Sequence, residues 1–181
     1  MEEYIERVLI SREELAKRVA ELGVEITRDY EGKKILVLGI LKGAVPFMAD
    51  LIREIKLPLA YDFMALSSYG ASTQSSGVVR ILKDLERGVE DVHILIAEDI
   101  VDTGLTLKYL KENLLARNPL SVKVVTLLDK AARRQTNVFP DYNGFSIPDE
   151  FVVGYGLDFN QEYRNLPYIG VLKQEAYEIL E

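Results

Sequence analysis

The chain has 181 residues, of which 48% are hydrophobic, carries a formal net charge of -7 at pH 7 and contains no cysteine. Its length and apolar content suit one domain with its own core, and the lack of cysteine excludes a disulfide framework and a thiol nucleophile. The negative charge disfavours broad binding to nucleic acids or anionic membranes, and without a signal-peptide pattern or a run near the roughly 20 apolar residues that span a bilayer, we expect a cytoplasmic protein.

The first predicted element is a helix. Ser11 and Glu14 form a capping-box pattern, and apolar residues at helical spacing follow until Gly23, where we expect the helix to end. Residues 34–41, KILVLGIL, predict the first central strand, and the apolar spacing from Val45 predicts the helix after it.

Lys42 and Gly43 join that strand to its helix. Ligands of open α/β sheets gather at the carboxyl ends of strands, so a lysine and a glycine there suggest an anion site. The alternative is an ordinary Lys-Gly turn, which is common at such junctions.

A second strand is predicted over residues 59–66, and residues 78–82 return as another. The intervening segment, 67–79, is too rich in serine and glycine to pack a core. A loop of that length is typical of a lid, although an ordinary solvated hairpin tip has the same composition.

The most informative stretch begins at Val92. In its first half, the residues that would face either side of a strand are apolar. This is typical of a strand buried on both faces in the middle of an α/β sheet. The single histidine, His93, lies inside this strand, so we expect it to be a packed or edge residue rather than a metal ligand.

The same strand ends in Glu98 and Asp99, then Asp102, and the run from Thr103 to Thr106 opens a helix with leucines at helical spacing. Unpaired N–H groups, threonine hydroxyls and a glycine at a helix start form a cradle for a phosphate. Carboxylates so close to a phosphate need a cation or hydroxyl groups, which predicts a ligand with a phosphate, a diol and Mg²⁺: a phosphorylated, activated sugar. The alternative is an acidic helix cap after a buried strand.

Residues 121–130 predict a further parallel strand with Lys130 at its carboxyl end, and the sequence pattern alone favours a surface lysine that caps the strand. Beyond it, 140–150 is expected to be irregular, 151–156 is strand-like, and 167–172 is another strand candidate before a short helix from residue 173. Such pieces could form a small lobe over the cleft.

The order Glu98-Asp99, then Asp102-Thr103-Gly104, after a buried strand resembles the phosphoribosyl-pyrophosphate (PRPP) motif of type I phosphoribosyltransferases, and is closest to the hypoxanthine-guanine branch. The resemblance runs from about 35 to 164. It implies a single α/β domain over 1–181: a mainly parallel twisted sheet flanked by helices as the core, about 34–130, and a small hood lobe, largely 131–172 with the N-terminal segment.

The resemblance also implies a purine salvage transferase that converts hypoxanthine or guanine and PRPP to IMP or GMP and pyrophosphate. It implies Mg²⁺ as cofactor, PRPP and a purine base as partners without nucleic acid or membrane, and a homodimer or homotetramer. In that family, the peptide bond that corresponds to Leu41–Lys42 can be cis.

Each predicted site residue takes a role from the resemblance. Asp102 is the general base for the proton on purine N7, and Ser68 and Tyr69 belong to a closing lid. The binding roles are as follows: for PRPP and its 5′-phosphate, Glu98, Asp99, Asp102, Thr103, Gly104, Leu105 and Thr106; for pyrophosphate, Lys42, Gly43 and Arg164; for the purine, Lys130, Phe151, Val152 and Asp158; for the metal, Glu98, Asp99 and Asp158.

Two other functions stay open at this point. A xanthine- or uracil-preferring phosphoribosyltransferase would share the PRPP residues and differ in the base pocket. A PRPP-sensing RNA-binding regulator would use the basic cluster of Lys130, Arg133 and Arg134, which we interpret instead as a solvated helix face. Leu105 stands where some relatives carry a basic residue, so phosphate binding must depend on backbone groups and threonines.

Overall fold

The computed structural model describes residues 2–68 and 79–178. Within them lie short 3₁₀ helices at Glu2–Tyr4 and Ala131–Arg133. The strands are β1 (Ile5–Ile10), β2 (Ile35–Leu41), β3 (Ala60–Ser68), β4 (Val79–Lys83), β5 (His93–Val101), β6 (Ser121–Asp129), β7 (Tyr142–Ser146), β8 (Val152–Val153) and β9 (Ile169–Leu172). The helices are α1 (Arg12–Asp29), α2 (Val45–Glu54), α3 (Leu105–Leu115) and α4 (Glu175–Glu178).

The larger sheet has the order β4-β3-β2-β5-β6-β7. All of its neighbouring pairs are parallel except β3 and β4, so the predicted mainly parallel α/β fold is confirmed. The chain leaves β2 toward β3 on one side and leaves β5 toward β6 on the other. The order therefore reverses between β2 and β5, and a crevice for ligands forms where the carboxyl ends of these two strands separate.

Both central strands are buried on both faces, as their sequences predicted. Val37 and Leu95 belong to the core that includes the buried sides of α1 and α2. Leu38 and Ile96 point the other way, into a second core that includes the leucines of α3. Helices on both faces fix the strands firmly, so the loops at their carboxyl ends start from rigid positions. None of the described helices is long and apolar enough to cross a membrane.

The smaller sheet is antiparallel, with the order β1-β9-β8. It joins the N-terminal segment to the C-terminal region, and a core of its own, which includes Val153, Tyr163, Leu166 and Leu172, packs against it. We call this sheet and the loop 154–168 the hood. The hood loop lies over the carboxyl end of β2, where Gly156 packs against the backbone of Gly43. The contact is so close that a Cβ atom added at Gly156 would lie 1.9 Å from the carbonyl oxygen of Gly43.

The expected end of the first helix at Gly23 is wrong, because α1 continues to Asp29. A Cβ atom at Gly23 would lie 2.4 Å from the Cβ of Glu54, so this glycine permits close contact between α1 and α2. Glycine in a helix interior costs about 1 kcal/mol relative to alanine, and close packing of two helices can offset that cost.

The irregular structure expected over 140–150 is also wrong in part, because β7 pairs parallel to β6 at the edge of the larger sheet. A Cβ atom at Gly144 would lie 2.4 Å from the carbonyl oxygen of Leu127, and Tyr142 donates a hydrogen bond to Asp29 at 2.9 Å. In the predicted lid, Ser68 is the last residue of β3, while Tyr69 and the residues up to 78 lie outside the described residues.

Candidate active site

A cleft of about 280 Å³ opens at the carboxyl ends of the central strands, where β5 gives way to α3. Its lining consists mainly of the end of β5 and the start of α3, with one residue each from β2 and β3. The lining residues are Ile40, Leu66, Glu98, Asp99, Ile100, Val101, Asp102, Thr103, Gly104, Thr106 and Leu107. The cleft therefore contains nearly all of the predicted phosphate loop.

The geometry of the turn before α3 explains why its residues are small. Gly104 is the residue before α3 and has a φ of 81°, in the left-handed region that favours glycine. A Cβ atom there would lie 2.4 Å from the Thr136 hydroxyl and 2.9 Å from Cδ of Arg134. The hydroxyl of Thr103 accepts a 3.4 Å hydrogen bond from the N–H of Leu105. The turn before α3 is therefore compact, and the first N–H groups of a helix have no partner within the helix, as an anion site requires.

Glu98 and Asp99 are adjacent residues near the carboxyl end of β5. Glu98 is 7% exposed. Burial raises its pKa well above the usual range, and the charge of Asp99 adds to the effect. Burial also raises the pKa of Asp99 to about 6, with Asp158 acting in the same direction and Arg164 against it. Asp99 is therefore the acid on the side of Asp158 and Arg164.

The loop after β2 lies against Asp99. The peptide bond between Leu41 and Lys42 is cis, as the resemblance allowed. A Cβ atom at Gly43 would be 1.6 Å from Oδ2 of Asp99, and the carbonyl oxygen of Gly43 lies under Gly156 on its other side. Only glycine leaves room at position 43 between this carboxylate and the hood.

Asp102 presents an unusual carboxylate. Its Oδ1 is buried and has no hydrogen-bond partner among the described residues, although Nε of Arg133 lies 3.4 Å away in ion-pair range. Its backbone carbonyl accepts a 3.0 Å hydrogen bond from Nε of Arg134. The main chain is held in place, and one carboxylate oxygen is left without a hydrogen-bond donor among the described residues.

Arg134 holds the loop from behind. It donates to the carbonyls of Val138 at 2.7 Å and Val101 at 3.4 Å, and it pairs with the carboxylate of Asp129. Its side chain is only 6% exposed, and Lys130 is equally buried. The interpretation of the basic cluster as a solvated helix face is therefore wrong for these two residues. Both are fixed by the fold, and neither is available as an open surface for RNA.

Two other cations meet where the hood approaches β2. Arg164 donates to the carbonyl of Gly156 at 2.7 Å and lies 2.7 Å from Oδ1 of Asp158. Lys42 and Arg164 both donate to Oε1 of Gln161, at 3.1 Å and 3.3 Å. Positive charge from the core and from the hood is thus brought to one point.

The predicted purine-binding residues Lys130, Phe151 and Val152 lie where the end of β6 meets the edge of the hood. Lys130 donates to the carbonyl of Glu150 at 2.8 Å. Leu172 N–H donates to the carbonyl of Phe151, and Val152 lies opposite Val171, so by antiparallel alternation the N–H and C=O of Val152 point to the outer edge of β8. Phe151 is 43% exposed and is not the core residue that its type alone would suggest.

Residues 10–160 match the phosphoribosyl transferase domain. The chain is 57% identical over 178 residues to the hypoxanthine-guanine phosphoribosyltransferase of Bacillus subtilis, covering 98% of this chain and 99% of that one. It is 55% identical to the enzyme of the same name from Lactococcus lactis, covering 98% and 96%. The chain belongs to the phosphoribosyltransferase family, in its hypoxanthine-guanine branch. A crystal structure of a Staphylococcus aureus hypoxanthine phosphoribosyltransferase superposes with a TM-score of 0.95 at 49% identity, covering 98% of this chain and 96% of that one.

The fold of this phosphoribosyltransferase brings most of the predicted site residues to one edge of the larger sheet. Tyr69 is the exception, since it lies outside the described residues. The predicted metal set of Glu98, Asp99 and Asp158 is not a preformed site, because the described residues contain no group of three acids or histidines that could hold a metal ion.

Two residues of the phosphoribosyltransferase site were missed by the sequence interpretation. Gln161 is the shared acceptor of two cations, and Arg134 fixes the loop that carries Asp102. Gln161 gives no signal in the sequence, because a glutamine in a polar loop is ordinary. Arg134 was noticed only for its charge, and its burial could not be read from a short polar segment.

Proposed function

We propose that this phosphoribosyltransferase transfers the 5-phosphoribosyl group of PRPP to N9 of hypoxanthine or guanine and releases pyrophosphate. The products are IMP and GMP. In the step, the bond between N9 and the anomeric carbon forms as the bond from that carbon to pyrophosphate breaks, and the proton on N7 leaves to a base. The names and full-length similarity of the relatives support the substrates, and the contacts described above support the roles below.

The 5′-phosphate would bind at the turn before α3, with N–H groups from Leu105 and Thr106 and the hydroxyls of Thr103 and Thr106. A neutral leucine at 105 leaves this task to dipoles and hydroxyls. Glu98, which lines the cleft on the α3 side of β5, would accept hydrogen bonds from the ribose hydroxyls.

Mg²⁺ fits the acids on the other side of β5. Asp99 and Asp158 lie close enough that the charge of Asp158 raises the pKa of Asp99, so a cation there would relieve their repulsion. Mg²⁺ usually binds one or two carboxylates together with substrate phosphates and water, so the lack of a three-acid cluster in the described chain fits an ion shared with PRPP. When bound, it supplies positive charge to the leaving group.

The purine would stack on the exposed ring of Phe151, with its edge on the backbone of Val152 and its 6-oxo group accepting from Lys130. That contact favours hypoxanthine and guanine over adenine, whose 6-amino group is no comparable acceptor. Oδ1 of Asp102 would accept the N7 proton, for which an unbonded carboxylate oxygen is suited. Lys42, the Gly43 backbone and Arg164 would stabilise the charge that builds on pyrophosphate.

One observation carries the proposal: the Asp102 carboxylate oxygen that has no hydrogen-bond partner among the described residues lies in the same loop as the phosphate cradle. A spectrophotometric assay with PRPP and Mg²⁺ tests it against hypoxanthine, guanine, xanthine and uracil separately. We expect turnover of the first two, with xanthine and uracil slower by about 10²-fold or more.

A dominant rate with xanthine or uracil would move the chain to another substrate branch. No product with any base, from protein that is folded by circular dichroism, would refute the transferase itself. We further propose a cytoplasmic enzyme that forms a homodimer or homotetramer, as the family resemblance implies; cell fractionation and sedimentation equilibrium test these two points.

A further inference from the structure

Gln161 occupies a position that neither the sequence motifs nor the reaction accounts for. Its Oε1 accepts hydrogen bonds from Nζ of Lys42 at 3.1 Å and from Nη2 of Arg164 at 3.3 Å. Lys42 follows β2 in the core, whereas Arg164 and Gln161 belong to the hood loop. A neutral amide oxygen therefore lies at the point where two cations from different parts of the fold meet.

The backbone around Gln161 is held independently of this contact. Gln161 has a φ of 68°, and its N–H donates to Oδ2 of Asp158 at 2.8 Å. Arg164 is oriented by Asp158 and by the carbonyl of Gly156. The Gln161 side chain is exposed and can rotate away, and we expect Arg164 to stay in place when it does.

The chemistry of that point matches a pyrophosphate oxygen. Cations bind a charged phosphate oxygen more strongly than an amide oxygen, so an arriving phosphate displaces the amide rather than adding to it. The amide nevertheless forms two hydrogen bonds that binding must break. Both bonds are exposed to solvent and rather long, so each contributes at the low end of the usual range, and together they weaken anion binding by roughly 3- to 10-fold.

We propose that Gln161 is a built-in competitor for pyrophosphate: its side-chain oxygen takes the place of a pyrophosphate oxygen in the free enzyme and returns to Lys42 and Arg164 as the product leaves. This inference rests on the proposed function, which assigns those two cations to pyrophosphate. Its consequence is kinetic as well as thermodynamic, since a side chain that replaces the leaving anion speeds product release.

The test is pyrophosphate binding to the full chain in Mg²⁺, measured by calorimetry and as inhibition against PRPP. Gln161→Ala removes the competing oxygen, so pyrophosphate should bind roughly 3- to 10-fold more tightly, with stronger product inhibition. Gln161→Glu puts a carboxylate at the same point, so pyrophosphate should bind at least about 10-fold more weakly and the KM for PRPP should rise. Asn160→Asp is the matched control, because it adds the same charge one residue away.

Equal or weaker pyrophosphate binding by Gln161→Ala would overturn the inference, since the amide would then be neutral toward the anion or assist it. Equal effects of Gln161→Glu and Asn160→Asp would also overturn it, because general charge would explain both. If the unsubstituted enzyme neither binds pyrophosphate nor turns over PRPP, the proposed function fails together with this inference. Normal turnover with an unchanged pyrophosphate affinity in Gln161→Ala refutes the inference alone.

Discussion

Gly43 is the position where the smallest change should have the largest effect on catalysis. Its backbone passes between Oδ2 of Asp99 and the hood at Gly156, and a single methyl group, Gly43→Ala, enters this gap. Gly43 does not have a positive φ, so alanine suits its backbone, and the contact with Asp99 decides the effect.

The size of the displacement follows from the geometry. The new Cβ would lie 1.6 Å from Oδ2 of Asp99, whereas ordinary contact begins at 3.4 Å, so the carboxylate must move by about 1.8 Å. Misplacing a catalytic or ligand-binding group by 1 Å can reduce the rate about 10²-fold. We therefore expect kcat/KM for PRPP to fall about 10²-fold in Gly43→Ala, with a folded protein.

Steady-state kinetics at varied PRPP concentration measures this loss, and a double-mutant cycle locates its cause. If the methyl group acts by moving Asp99, then Asp99→Ala should lower kcat/KM on its own, and Gly43→Ala should add almost nothing in that background. Gly88→Ala serves as a control, because its φ is not positive and a Cβ atom there would meet only the carboxylate end of the exposed Glu90 side chain. Nearly wild-type kinetics for Gly43→Ala, or full additivity in the cycle, would refute the reasoning.

The remaining predictions concern charge. Asp102→Asn should lower kcat about 10² to 10⁴-fold while calorimetry still detects PRPP binding with Mg²⁺, and an enzyme of full strength would exclude Asp102 as the base. Arg134→Lys should lower the free energy of unfolding by about 1 to 3 kcal/mol in urea, whereas Arg133→Lys, at an exposed site, should change it by less than about 0.5 kcal/mol. In the free protein, burial raises the pKa of Asp99 from its ordinary value of 3.8 to about 6. The folded state therefore holds this proton more tightly than the unfolded chain does. The resulting stabilisation is fully present below about pH 4 and is lost as the pH rises through 6. Asp99→Asn removes that loss and should be the more stable protein at pH 7; parallel urea titrations from pH 4.5 to 7.5 for the two proteins would contradict this.

The centre of the fold could be predicted because its signals are local. In the strand over 35–41 and the first half of the strand over 93–101, both odd- and even-numbered residues are apolar, a pattern that indicates burial on both faces. The run from Thr103 to Thr106 predicts a helix start, since the small residues that suit an anion also suit the turn.

The elements that were missed depend on distant partners. Gly23 reads as a helix end unless the position of Glu54 on another helix is known. The strand at Tyr142–Ser146 contains Asn143 and Gly144, which favour turns, and only its pairing with β6 makes it a strand. In each case a contact between segments far apart in the chain outweighs the local preference.

The same limit applies to the two adjacent acids. The sequence predicts that Glu98 and Asp99 face opposite sides, but it does not say which side carries the hood. The structure assigns that side to Asp99, through Gly43 and Arg164. Side-chain roles in such a site follow from topology more than from the motif that contains them.

The site is divided between two layers, and this division explains why glycines occur where the layers meet. The loop after β2 contacts Asp99 on one side and Gly156 on the other, with no side chain between them. Lys42 from the core and Arg164 from the hood then reach one acceptor. Because the pyrophosphate side is assembled from both layers and the phosphate cradle from β5 and α3 alone, a shift of the hood should weaken pyrophosphate binding and leave the 5′-phosphate site intact. With the proposed roles, the two ends of PRPP would be bound by separable parts of the fold, and release of pyrophosphate would not require release of the nucleotide.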